Sequence, residues 1–127
     1  MAVGPVRTLL LGTENADGTV TGVSADETTS QPIKREGYGI LTIYLRSIGT
    51  TSGGNVTIEE ADWGPAEHVY SGTWSVLATV AASSFTGGAQ VVYHVTECAY
   101  SYVRVRISDA ITGGGTIMAV MHAQGED

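Results

Sequence analysis

The twenty residues Tyr102–Met121 (YVRVRISDAITGGGTIMAVM) constrain the fold more than any other stretch. Val103, Val105 and Ile107 alternate with Arg104, Arg106 and Ser108. Successive side chains of a strand point to opposite faces, so this period of two sets an apolar face against a polar one. Gly113–Gly115 breaks the run, and a second apolar run, Ile117–Met121, follows. Two strands around a glycine turn read as a β-hairpin.

The same pattern recurs along the body of the chain. Ile40–Arg46 sets Leu41, Ile43 and Leu45 on one face, and Asn55–Glu60 points Val56 and Ile58 inward. Thr73–Val80 groups Trp74, Val76, Ala78 and Val80, and Gln90–Thr96 reads as a further strand. Thr50–Gly54 and Ser83–Ala89 are turns, and Ala61–Gly72 is expected to be a loop because Gly64-Pro65 interrupts it. No segment carries the i, i+3, i+4, i+7 stripe of an amphipathic helix. The 17 glycines are close to twice the usual share of about 7 %, which suits many turns. Six to eight short strands predict an all-β chain, an antiparallel β-sandwich or jelly roll. No internal repeat marks a propeller or solenoid.

Residues 1–37 differ from the rest. Arg7–Leu11 (RTLLL) can form a short strand, and Asn15–Gly18 (NADG) is a turn signal. Thr21–Glu36 is polar, contains Pro32 and lacks sustained apolar periodicity. Two readings stand: an extended N-terminal arm with one or two short strands, or an ordinary first hairpin of the domain. The first divides the chain into an arm, residues 1–37, and a β-sandwich domain, residues 38–127.

A formal net charge of −7 argues against nucleic acid, whose phosphates call for clustered cations. It disfavours an anionic membrane surface as well. No apolar run approaches the roughly 20 residues of a membrane helix, and no positively charged leader precedes an apolar stretch. The single cysteine, Cys98, excludes an intrachain disulfide and fits a reducing compartment.

No catalytic, cofactor or metal constellation emerges. His68, His94 and His122 have no ligand-type spacing. Cys98 has no base at a spacing that guarantees contact, and reads as a small buried thiol. Glu59, Glu60 and Asp62 beside Trp63 suggest a glycosidase pair, but alternation puts Glu59 and Glu60 on opposite faces. The glycine clusters precede no helix and carry no G-K-[ST], so they read as turns and not phosphate loops. Trp63, in the expected loop, is a candidate interface anchor. Arg104 and Arg106 either protect a strand from stray pairing or reach carboxylates on a neighbouring subunit.

Gly72–Ser75 (GTWS), the Leu77–Val80 strand, Val103–Ile107, the Ile111–Gly115 turn and Thr116–Val120 together resemble small β-sandwich virion proteins of tailed bacteriophages. The resemblance covers about residues 70–122. It implies a structural protein of the virion, made in the host bacterial cytoplasm: a capsid decoration (cement) protein that clamps neighbouring capsid subunits. Neck and tail components belong to the same broad group. It further implies a homotrimer, an N-terminal arm that reaches neighbouring capsomers, and the major capsid protein or another virion protein as partner. The contact residues expected on this reading are Val3, Val6, Arg7, Leu9 and Leu11 of the arm, Trp63, and Arg104 with Arg106. A carbohydrate-binding jelly-roll module is the alternative.

Overall fold

A computed structural model describes residues 6–31, 33–34, 38–64, 69–85, 90–95 and 101–125, with backbone alone at 6, 34, 38–40, 62–64, 69–73, 101 and 124–125. Among the described residues there are ten strands: β1 (Val6–Leu11), β2 (Thr13–Glu14), β3 (Val20–Thr21), β4 (Ile33–Lys34), β5 (Tyr38–Ile48), β6 (Gly53–Gly64), β7 (Val69–Ala81), β8 (Gln90–Val95), β9 (Ser101–Thr112) and β10 (Thr116–Gly125). A 3-10 turn, Ala82–Phe85, follows β7 directly.

Two four-stranded sheets hold all but the small β2–β3 hairpin. The first has the order β1-β10-β5-β8 and the second β4-β9-β6-β7, and every pairing is antiparallel. With the hairpin set aside, the first strand pairs with the last, the second with the next to last, and so on to the central pair β6–β7. That nesting is a jelly roll, and the chain is an all-β antiparallel sandwich.

The core lies between the sheets. Leu41, Ile43 and Leu45 of β5 and Ile117, Ala119, Met121 and Ala123 of β10 face Val56 and Ile58 of β6 and Val103, Val105 and Ile107 of β9. Phe85 and Ala82 of the 3-10 turn join the same cluster, both fully buried. Their backbone carbonyls accept hydrogen bonds from the buried hydroxyls of Ser47 (2.9 Å) and Thr51 (3.0 Å), so those two polar side chains enter the interior with partners.

Three expectations are corrected. Tyr102–Met121 is no hairpin, because β9 and β10 belong to different sheets. Each strand has its own apolar face, and a chain can bury both faces by arching from one sheet to the other. Gly113 (φ 104°) and Gly114 (φ 91°) make that arch. Gly115 donates its N–H to the Thr50 carbonyl at 2.6 Å, and a Cβ there would sit 2.5 Å from that same oxygen. The arch is therefore pressed onto the β5–β6 connection, which crosses between the sheets in the same way.

Ala61–Gly72 is not one loop, since β6 continues to Gly64 and β7 begins at Val69. The inward set Trp74, Val76, Ala78, Val80 is broken by a bulge. Ile58 opposes Ala78 while Glu59 opposes Val76, so Leu77 is the extra residue. The bulge shifts the phase of β7, leaving Val76 56 % exposed and placing Trp74 with Arg104 on the sheet's outer face.

Within residues 1–37, the β2–β3 hairpin aside, several described stretches lie on the chain's own body. β1 pairs with β10, Val23 bridges Ile117, and the Ser30 and Glu27 amides donate to Val105 and Ile107 of β9.

Candidate functional site

The two outer faces of the sandwich carry the polar chemistry, and register decides which residues meet. On the β4-β9-β6-β7 sheet, Glu59 stands directly opposite Arg104, and Thr57 opposite Arg106. Arg104 donates to Glu59 Oε1 through Nε (2.9 Å) and Nη2 (2.8 Å). Arg106 donates through Nη1 to Glu59 Oε2 (3.2 Å), where the Thr57 hydroxyl also donates (2.8 Å). The other edge of Arg106 grips Glu27 at 2.6 and 3.2 Å. Arg104 also lies over the Trp74 ring, 4.1 Å from its centroid.

Glu59 is buried, and burial alone would raise its carboxyl. The Thr57 hydroxyl and the two guanidinium groups outweigh that, and hold it below the usual glutamate range. Glu27, Glu59, Arg104 and Arg106 sum to zero charge with each group partnered. That arrangement locks β6, β9 and the segment around Glu27 together; it presents no free nucleophile or base.

The outer face of the β1-β10-β5-β8 sheet is different. Pairing aligns Arg7, His122, Thr42 and His94 in one row across all four strands. The next row is Leu9, Val120, Tyr44 and Val92, and a third holds Met118, Arg46 and Gln90. A band of mostly apolar side chains thus runs between two polar rows. The Tyr44 and His122 rings meet edge to face with centroids 5.1 Å apart, and Thr42 Oγ1 lies 3.1 Å from His94 Nδ1. A shallow cleft of about 300 Å³ opens here between Arg7 and Arg46. A larger hollow of about 700 Å³ shares Arg46 and Met118 and continues to Thr19 and Val20 of the small hairpin. Among the described residues, no carboxylate pairs with Arg7 or Arg46.

The expected contact residues fall as follows. Arg7 is exposed on this face, with half-buried Leu9 in the adjacent row. Leu11 is core, 2 % exposed, so it stabilises the sandwich and offers nothing to a partner. Val6 lies in β1 with its side chain outside the description, and Val3 lies outside the described residues. Trp63 is in β6 opposite Tyr70, its side chain likewise undescribed. Arg104 and Arg106 find their carboxylates within the chain, at Glu59 and Glu27. His68 and Cys98 lie outside the described residues. Among the described residues no three His, Cys, Asp or Glu side chains group to hold a metal ion, and no helix is long and apolar enough to cross a membrane.

No family model and no curated protein matches this sequence. Among solved structures, the chain is similar to the CBM22-1–GH10 modules of Clostridium thermocellum endo-1,4-β-D-xylanase 10B, complexed with xylohexaose. The TM-score is 0.53 at 10 % identity, over 98 % of this chain and 26 % of the xylanase chain, so this chain spans about a quarter of that protein's length. Lower likenesses link it to a Bacillus endospore appendage pilus (TM-score 0.44, 14 % identity, 100 % and 92 % covered). The carbohydrate-binding module CBM6cm-2 of Cellvibrio mixtus lichenase 5A, in complex with cellotriose, follows at 0.42 (13 % identity, 100 % and 90 % covered). The first likeness agrees with the β-sandwich fold; at these identities it extends no further.

Proposed function

We propose that this chain is a structural virion protein, a capsid decoration protein that docks on the major capsid protein or another virion protein. The resemblance over residues 70–122 suggests the setting. The observation that carries the reading is the outer face of the β1-β10-β5-β8 sheet. In an acidic chain, this face holds two arginines without a described carboxylate partner, set on opposite sides of an apolar band. From the strand spacing and rise, their Cα atoms are roughly 16 Å apart. Such a face suits a broad, acidic protein surface. Occupying it stabilises the assembled shell by mass action, with no turnover.

Co-sedimentation with emptied tailed-phage capsids tests this. Wild type pellets with the shell, while a charge-reversed variant, Arg7→Glu with Arg46→Glu, stays in the supernatant. Equal pelleting of both variants removes the face from the reading, and no pelleting with any shell removes the reading itself.

A second reading is favoured by the cleft beside Tyr44. The two-module xylanase structure, of which this chain matches about a quarter, is complexed with xylohexaose, and a shallow cleft lined by Tyr44, His122 and Gln90 offers hydrogen-bonding groups and a ring edge to a sugar. Titration with xylohexaose and cellotriose, with Tyr44→Ala as the control, separates this reading from capsid docking.

A further inference from the structure

An antiparallel sandwich has four edge strands; two of these, β1 and β4, are blunted, and a third, β8, is of ordinary length. β1 is six residues long, carries Arg7 and has a register shift between Leu9 and Leu11. β4 is two residues long, and the chain before it bonds to β9 through Glu27, Thr28 and Ser30, kinked by the left-handed Glu27 (φ 66°). β8 is six residues long. Short length, charge and irregularity are the usual ways in which a sheet edge is kept from recruiting another strand.

β7 has almost none of these protections. It runs for 13 residues, VYSGTWSVLATVA, without a charged residue or a proline. Among the described residues no strand pairs with its far side. Of its two register shifts, the bulge at Leu77 turns Val76 out into water and does not shield it, and the other lies between Trp74 and Tyr70. Val76 (56 % exposed) and Val92 (43 %) are the two exposed large apolar side chains of the described residues. Val92 is on β8, the edge of the other sheet at the same margin, where the Ala82–Phe85 turn touches β5, β6, β7 and β8.

We propose that a second copy of this chain pairs antiparallel with β7, edge to edge about a two-fold axis. Charge selects the partner. The chain as a whole carries −7 and repels its copies, but an uncharged edge laid against itself opposes no like charges. A partner strand bearing charges would find no complement on it. Self-pairing of one strand is isologous and closes at two. The inference does not depend on the capsid reading, because shell binding and self-association are measured separately.

Light scattering coupled to size exclusion, on the full chain at concentrations up to about 100 μM, gives the test. The expected mass is twice the 13.2 kDa of one chain. Val76→Lys and Thr79→Lys, both at exposed positions of β7, each weaken the dimer at least about tenfold while thermal unfolding of the monomer is unchanged. Arg46→Ala, on the opposite sheet, leaves the dimer intact. A monomer throughout the range, a trimer, or a dimer indifferent to both lysines overturns the proposal.

Discussion

The outer faces of the two sheets start from the same kind of sequence and end with opposite chemistry. Both β5 and β9 alternate apolar and polar residues, and both put arginine outside. On β9 the register brings Glu59 and the Glu27 segment to the guanidinium groups, so charge is neutralised within the chain and its surface is closed. On β5 the neighbours of Arg46 are Met118 and Gln90, so the charge stays open to solvent. A strand's polar face is thus committed to structure or left for binding by its lateral neighbours, a property that no single strand encodes.

Substitutions on the two faces sharpen this contrast. Glu59→Gln removes a buried, charge-assisted set of hydrogen bonds and should cost about 2 kcal/mol in urea unfolding. A cost below about 0.5 kcal/mol would mean that the network contributes little and the two faces are alike. The same carboxyl sets a pH dependence. Its folded pKa lies below the unfolded value of about 4.3, so its contribution is present above that value and fades as pH falls through the folded one. The stability difference between wild type and Glu59→Gln should therefore shrink on acidification from pH 5 toward about pH 3. Glu27 is 65 % exposed, so Glu27→Ala should cost at most about 0.5 kcal/mol despite the 2.6 Å contact. Glu27→Gly should be close to neutral, because glycine relieves the left-handed backbone there. Arg7→Ala and Arg46→Ala should change stability least of all, within about 0.5 kcal/mol. A larger loss at either would show that the open face is also structural.

Strands were legible in this sequence, and their partners were not. Leu41, Ile43, Leu45, Val103, Val105 and Ile107 all point inward as their period of two predicts, because alternation is a local property. The triple glycine reads equally well as a hairpin turn or as an arch between sheets; what separates them is whether the flanking strands bury their apolar faces side by side or face to face. Val76 escaped for a related reason, since one inserted residue at Leu77 inverts the positions just before it, Val76 to Trp74, and leaves no mark in composition. The arginines were singled out from the sequence, but their carboxylates, 45 and 79 residues away at Glu59 and Glu27, come near only through the nested pairing. The row Arg7, His122, Thr42, His94 draws one residue from each of four strands and needs the complete strand order before it exists.

That strand order also governs assembly of the molecule in time. β10 lies between β1 and β5 and hydrogen-bonds both, so neither can take its final neighbour until β10 has been synthesised. The strand made first must wait for the strand made last, holding Leu9, Leu10 and Leu11 unpaired throughout. Such non-local closure makes for slow folding with exposed intermediates, and it gives the β7 edge its longest opportunity to meet another chain.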